Sequence, residues 1–423
     1  MARAARAITK DIQSYIKKYS RYHQSVLSIE QFTHFGKTAS VKESFSFLRF
    51  EVPIRLAHIM QEINHLPKVL LQTPSVELVK SWYVQSFVDL MDFLNDDFSE
   101  DDIERFTDTL YTIKQRHDKT VETMAQGVIE LKSAQNKFII DPKMQYFLDR
   151  FYMNRIGIRL LMTNHIALFG KHPPSSGKFI GVFEPNCRIK KVLEDAVAGA
   201  SDLCARTYFD SPMVKINEHG VREGEDEVIA AYVPSHLHFM LFELLKNAMR
   251  ATVEKHEAKD EIPDINIDIV KGNEDLTIRI SDLGGGICRN KIKDLFTYHY
   301  STAPEPDQLE GMAPLAGYGY GLPLSKLYAK YFGGDIHISS LEGLGSDTFV
   351  YLKALSQDAQ EVIPMYNSLV AKEYEEIDQE TVRSSQREWS CDSFYDGQIR
   401  SYSKPFLRSS GKKNGNGGGS RGK

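Results

Sequence analysis

The stretch Leu276-Thr277-Ile278-Arg279-Ile280-Ser281-Asp282-Leu283-Gly284-Gly285-Gly286 alternates apolar and polar residues, then sets an acid ahead of three glycines. The alternation is that of a strand with one buried face. An acid at the end of a strand can accept a hydrogen bond from the amino group of an adenine ring. The glycines let the backbone turn with positive φ and approach a ligand closely. The same letters also suit a plain turn, so the neighbouring segments must decide.

Upstream, the helix predicted after Pro234 contains Phe242-Glu243-Leu244-Leu245-Lys246-Asn247-Ala248. Glu243 and Asn247 stand four apart and share a helix face, while Met240, Leu241, Leu244 and Leu245 supply an apolar one. Asn offers a hard carbonyl oxygen suited to Mg²⁺, and Glu a carboxylate able to orient or accept a proton. Downstream, Gly317-Tyr318-Gly319-Tyr320-Gly321-Leu322 runs into a helical pattern. Glycine-rich backbone opening a helix is an anion site, because free N–H groups and the positive dipole end point at phosphate. The dipole supplies only about 0.3–1 kcal/mol, so several N–H bonds must provide most of the grip. Gly345-Ser346-Asp347-Thr348 opens the last strand and can bring the Thr348 hydroxyl near the adenine. Between two of the motifs, the proline- and glycine-bearing stretch 298–316 reads as a lid over the phosphates. Each motif alone is modest; their order on strand and helix makes a nucleotide site.

Two other nucleotide signatures fail. Ser175-Ser176-Gly177-Lys178 lacks the leading glycine of a Walker A loop, and Asp282-Leu283-Gly284 has no His-Arg-Asp catalytic loop before it.

The rest of the chain divides by texture. From Ile12 to Phe169 apolar residues recur at three- and four-residue spacing, with predicted helices over Val79–Phe93, Phe106–Leu131 and Phe147–Leu161 and with Pro67, Pro74 and Pro142 as breaks. This pattern predicts a helical bundle. Gly170–Gly177 reads as a linker. Beyond it, helices predicted over Ile189–Arg206 and Ser235–His256 alternate with strands over Glu227–Val233, Ile265–Val270, Leu276–Ser281, Asp335–Ser339 and Thr348–Leu352. The predicted fold class is therefore α + α/β: a helical bundle followed by an α/β sandwich. The expected divisions are a basic N-terminus over 1–27, a helical domain over 28–175, a nucleotide domain over 176–356 and a tail over 357–423 with a Gly- and Ser-rich, disordered end.

Bulk properties set outer limits. The 423 residues suffice for two cores, and 42% hydrophobic with 26% charged residues is a globular balance. A net charge of −5 gives no reason to expect nucleic acid. Cys187, Cys204, Cys288 and Cys391 have neither metal-site nor disulfide-framework spacing, which fits a reducing compartment. No apolar run is long enough to cross a bilayer. The acid-poor start Met1-Ala-Arg-Ala-Ala-Arg suits a mitochondrial transit peptide or an ordinary basic helix start.

The three nucleotide motifs together resemble the Bergerat site of the GHKL superfamily. A narrower resemblance covers Ser28 to Ser356. Tyr232-Val233-Pro234-Ser235-His236, Glu243–Thr252, Tyr300–Pro304, Pro314–Pro323, Phe47-Leu48-Arg49 and Thr123–Val128 are similar to the mitochondrial pyruvate dehydrogenase kinases. That resemblance implies a protein-serine kinase using ATP and Mg²⁺. It implies that the decarboxylase component of the pyruvate dehydrogenase complex is the substrate, inactivated by phosphorylation. It further implies docking on the lipoyl domain of the acetyltransferase core, a homodimer and the mitochondrial matrix. Carried over by position, Glu243 is the general base and Asn247 the Mg²⁺ ligand. Arg250, Asp282, Gly284, Gly286, Ser301, Thr302, Gly317, Tyr318, Gly319, Tyr320, Gly321, Leu322 and Thr348 contact nucleotide or shape its pocket. His117, Arg155 and Arg159 resemble an inhibitory site for pyruvate-like carboxylates, or else a buried network with Asp118 and Asp149. Glu388-Trp389 resembles an acid–Trp pair that locks the dimer, or else an exposed loop Trp.

One departure stands out. Relatives carry a His one turn before the Glu; here Phe239 holds that place and His238 is beside it. A one-residue shift turns a side chain by about 100°, so another group must orient Glu243 or it works alone. Leu283, where Arg is common, is a milder change. Three alternatives remain: a branched-chain 2-oxo acid dehydrogenase kinase, a conformational ATPase and a nucleotide-binding scaffold. A histidine kinase lacks its signature here, since His165 is followed by Ile166-Ala167-Leu168.

Overall fold

Three serines start the helical half in the same way. Ser28, Ser40 and Ser99 each accept from the N–H three residues on, and the side chains of Gln31, Glu43 and Asp102 accept in return from the serine N–H. These reciprocal caps satisfy donors that a helix start leaves open. They begin α2 (Ile29–Thr38), α3 (Val41–Asn64) and α6 (Glu100–Arg116), which follow α1 over residues 12–19. Also present are α4 (Lys68–Leu71), α5 (Pro74–Met91), with Pro at its first turn, α7 (Thr120–Ala134) and α8 (Pro142–Phe169). The computed structural model describes residues 12–94, 98–134, 142–171, 177–220, 227–257, 261–298, 319–372 and 374. None of the described helices is long and apolar enough to cross a membrane.

The single helix predicted over Phe106–Leu131 is two, α6 and α7, with His117 closing the first. Buried Leu110, Ile113, His117, Thr120 and Met124 keep a three–four spacing straight through the break. Periodicity therefore could not reveal it. The turn matters, because it places His117 against the bundle interior. Helix α8 is buried on nearly every side and packs on α3, α6 and the later α11 (Gly321–Tyr331).

In the second half, β1 (Glu184–Arg188) pairs with β3 (Ile229–Tyr232), and a five-stranded sheet runs in the order β2-β4-β5-β7-β6. Its strands are β2 (Val214–His219), β4 (Ile265–Lys271), β5 (Asp275–Asp282), β6 (Asp335–Leu341) and β7 (Gly345–Lys353). β2 runs parallel to β4; the other neighbours are antiparallel. Register puts Ile267 opposite Ile280, Ile280 opposite Thr348 and Ile278 opposite Val350. This face is covered by α10 (Pro234–His256) and α11 (Gly321–Tyr331), with α9 (Ile189–Tyr208) packed on α10. The opposite face carries Asp268, Arg279, Asp347, His337, Phe349 and Tyr351. The α + α/β class and all five predicted strands are present. β1 and β2 were not foreseen: β1 contains Pro185 and has no alternation, and β2 is a short edge strand.

The chain beyond the sheet returns to the bundle. Ala359 O accepts from Ile29 N (3.0 Å), Glu361 N donates to Leu27 O (3.0 Å), and the Tyr374 hydroxyl donates to Glu62 (2.6 Å). Residues 1–374 cluster as one unit. Residues 375–423, including Cys391, Glu388 and Trp389, lie outside the described residues.

Candidate active site

Helix α10 carries Glu243. Glu243 is 4% exposed although Lys246 and Asn247, one turn on, are polar. A buried carboxylate needs partners, and Lys246 supplies one: its Nζ lies 2.7 Å from Oε1 and 2.8 Å from Oε2. Lys246 is thus the group that orients the Glu243 carboxylate. Phe239 packs on Tyr328 instead (5.0 Å between centroids), and His238 stacks on Phe242 (6.1 Å). The hydrogen bonds to the carboxylate among the described residues come from Lys246. Sequence reasoning missed Lys246, although a Lys three residues after a Glu is a readable helix pair.

The other wall of Glu243 is the start of α11. A β-carbon at Gly321 would fall on Glu243 Oε2, so this glycine lets the helix start touch the carboxylate. No side chain at the N-cap position of α11 caps its first turn, which leaves first-turn N–H groups available to an anion. Gly319 has φ +71, and Leu322 is half-buried in the first turn. Gly321→Ala should displace the Glu243 carboxylate and lower phosphoryl transfer roughly tenfold or more, since small misplacements at a reacting group are costly. A steady-state assay beside a nucleotide-affinity measurement checks this; an unchanged kcat would remove the contact from the mechanism.

Asp282 ends β5 on the helix side of the sheet and is 9% exposed. Its Oδ1 accepts from Gly284 N (2.8 Å) and Ser346 N (3.3 Å). Both bonds fall on one oxygen, so the other remains an acceptor for an adenine amino group. Burial pushes the carboxyl above its usual value, and these two N–H groups oppose that. Thr348 lies two residues beyond Ser346, on the same face as Asp282. Gly284 is packed on Ala251 of α10, where a β-carbon would meet Ala251 Cβ at 2.6 Å. Gly286, at φ +67, passes against the carbonyl oxygen of Leu341. Asn247 is exposed one turn past Glu243. Arg250 turns along its own helix to Glu254 (2.7 Å). Ser301, Thr302, Gly317 and Tyr318 lie outside the described residues.

A second candidate site lies inside the bundle. Tyr83, His117, Arg155, Ile158, Arg159 and Met162 line a small cavity. His117 Nε2 meets Ser86 Oγ (2.9 Å), Arg155 donates to His117 O (3.2 Å), and Arg159 pairs with Asp118 (2.9 Å). Burial, with some help from the arginines, lowers the His117 pKa to about 4, so it is neutral near pH 7. Tyr83 Oη, Arg155 Nε and Arg159 Nη1 are buried without a hydrogen-bond partner among the described residues. Three unmet donors around one cavity are what a small carboxylate satisfies. Asp118 does join the network; Asp149 instead accepts from Tyr298 (2.9 Å). His165 is buried between Ser44 Oγ (2.7 Å) and Thr107 Oγ1 (3.0 Å), which rules it out as an exposed phosphoacceptor.

Comparisons with known proteins agree with these two halves. Residues 26–184 match the family model described as mitochondrial branched-chain alpha-ketoacid dehydrogenase kinase, and residues 232–356 match the histidine kinase-, DNA gyrase B- and HSP90-like ATPases. A mitochondrial pyruvate dehydrogenase (acetyl-transferring) kinase of Ascaris suum is 47% identical, over 85% of this chain and 90% of the relative. Isozyme 1 of Homo sapiens is 48% identical over 87% and 86%, and the kinase of Drosophila melanogaster 47% over 84% and 88%. With both the nucleotide domain and the helical half matched at this level, the chain belongs to the mitochondrial pyruvate dehydrogenase kinase family.

Proposed function

We propose that this kinase transfers the γ-phosphoryl group of Mg-ATP to serines of the decarboxylase component of the pyruvate dehydrogenase complex and so switches that component off. The observation that carries the reading is a nearly buried Glu243 held against the start of α11 by Gly321 and Lys246, in a chain whose relatives bear this activity in their names. Asp282 receives the adenine amino group, and the N–H groups opening α11 receive phosphate oxygens. Glu243 accepts the serine proton as the hydroxyl attacks phosphorus and the bond to the leaving oxygen of ADP breaks. For that, Lys246 must give up one carboxylate oxygen, and an arriving phosphate is the natural anion to draw it away.

Asn247 would hold the Mg²⁺ through its side-chain carbonyl. The described residues contain no group of three His, Cys, Asp or Glu side chains able to hold a metal, which suits an ion bound mainly by substrate phosphates. When bound, the ion neutralises charge building on the β- and γ-phosphates.

The finer assignments rest on the family. The helical domain over 28–175 docks the lipoyl domain of the acetyltransferase core, and the domain over 176–356 carries catalysis in the mitochondrial matrix. A homodimer is supported by the sheet face that bears no helix among the described residues, where Phe349 and Tyr351 stack at 6.1 Å. The bundle cavity binds a pyruvate-like carboxylate and inhibits. Arg155→Ala should abolish inhibition by pyruvate while leaving uninhibited turnover largely intact, because Arg155 lines the bundle cavity and bonds His117 O rather than any group of the nucleotide site. Retained inhibition would remove the cavity from that role.

Labelled ATP with the purified decarboxylase component, with and without lipoyl domain, tests the main reading. Label on serine, increased by lipoyl domain, supports it; label on histidine of the kinase itself or free phosphate alone would overturn it. The branched-chain decarboxylase component belongs in the same assay, because the model matched by the helical half carries that name.

A further inference from the structure

The bundle contains a buried carboxylate that neither the active site nor the carboxylate cavity uses. Asp149 lies on α8, one turn past Gln145, and together they grip the segment leading to Tyr298. The Tyr298 hydroxyl donates to Asp149 Oδ1 (2.9 Å), and Tyr298 N donates to Gln145 Oε1 (3.1 Å). Gln145 Nε2 in turn donates to Asp149 Oδ1 (3.2 Å) and to Phe296 O (3.3 Å). Both side chains therefore bond residues 296–298 directly and brace each other.

Tyr298 then reaches the active site through rings. It is fully buried and lies 5.0 Å from Tyr320 and 5.5 Å from Tyr152, while Tyr152 and Tyr320 meet edge-on at 5.9 Å. Tyr320 is the residue on which α11 begins, and its neighbour Gly321 touches the Glu243 carboxylate. Chains of packed side chains of this kind can carry the effect of one group to another. We propose that Asp149 is a positioning residue for phosphoryl transfer: by holding Tyr298 it fixes Tyr320 and the start of α11 against Glu243. This rests on the assignment of Glu243 as base and of the α11 start as phosphate site.

The position is an expensive one for an acid. Burial raises the Asp149 pKa to about 6, opposed by the bonds from Tyr298 and Gln145 and by Lys330 and Lys326 of α11. The folded pKa thus lies above the unfolded value. The stability this group gives is complete below the unfolded value near 4 and is lost as pH rises through about 6. At pH 8 the protein carries a desolvated charge that a neutral isostere would spare.

Three variants of the full chain test the proposal: Asp149→Ala, Tyr298→Phe and Asp149→Asn. Nucleotide affinity by calorimetry and KM for ATP, kcat and KM for the decarboxylase component are measured, with Tm at pH 8 and pH 4. Asp149→Ala and Tyr298→Phe should each weaken nucleotide affinity or lower kcat between about twofold and tenfold, the worth of one hydrogen bond. KM for the decarboxylase component should stay put, and the two effects combined should be less than additive. Asp149→Asn retains an acceptor for Tyr298, so it should restore the kinetics. It should also raise Tm at pH 8, with the gain gone at pH 4. Normal nucleotide affinity and kcat in both Asp149→Ala and Tyr298→Phe would overturn the proposal, whatever happens to Tm. Should Asp149→Ala fail to fold, Tyr298→Phe, which removes only a hydroxyl, decides alone. Calorimetry needs no acceptor protein, so an error in the proposed substrate would not disguise the outcome.

Discussion

Glu243→Gln should lower phosphoryl transfer about 10²–10⁴-fold, the usual contribution of a positioned base, while ATP still binds. Gln has nearly the shape of Glu, so the contact with Gly321 survives and its amide oxygen still accepts from Lys246. What disappears is a carboxylate able to take the serine proton. Glu243→Ala would be a poorer test, because it opens space beside Gly321 and leaves Lys246, with its side chain 17% exposed, without its partner. Calorimetric titration with ATP, followed by single-turnover transfer to the decarboxylase component, separates binding from chemistry. Transfer at the parent rate would remove Glu243 as the base. Loss of ATP binding alongside transfer would mean that the carboxylate builds the pocket rather than doing the chemistry.

The nucleotide site was legible because each motif has a local physical reason. Asp282 ends a strand whose alternation is visible, Gly286 has the positive φ its letters foretold, and Gly319 precedes a helix start. The pairing of Glu243 with Gly321 was not legible. They are distant in sequence, and only the fold brings α10 and α11 together. Phe239 looked like a lost catalytic partner, and the resolution, Lys246, lay on the other side of the Glu on the same helix. Strands were missed at β1, whose Glu184-Pro185-Asn186-Cys187-Arg188 has no alternation, and at β2, where only Val214 and Ile216 supply it. The break at His117 was hidden for the opposite reason: the turn keeps helical phase. The C-terminal return was invisible as well. After Ser356 periodicity fades, because Ala359 and Glu361 bind through backbone and charge rather than through an apolar stripe.

That return produces the largest stability effect expected in the molecule. Glu361→Ala should destabilise the protein by about 3–5 kcal/mol, the loss typical when one partner of a buried ion pair is removed. Glu361 is 3% exposed and receives both terminal nitrogens of Arg55, Nη1 and Nη2, at 2.9 Å. It also accepts from Leu27 N (3.0 Å) and from the Tyr331 hydroxyl. Arg55 is wholly buried, with Glu51 (2.8 Å) as its second acid and Ser25 O (2.8 Å) as a further acceptor. Burial alone would lower the Arg55 pKa; the Glu361 and Glu51 carboxylates outweigh it, so the guanidinium sits above its ordinary value. Removing Glu361 leaves that cation with one acid and strands the Tyr331 hydroxyl at the far end of α11. A loss of this size is a large part of the roughly 5–15 kcal/mol that holds a typical domain folded. Denaturant titration of the full chain gives the number, and a change under about 1 kcal/mol, the range of exposed pairs, would show that the pair contributes little. The double variant Arg55→Met, Glu361→Leu sharpens the point. If the penalty comes from an uncompensated charge rather than from a missing attraction, the double variant will be more stable than Glu361→Ala alone.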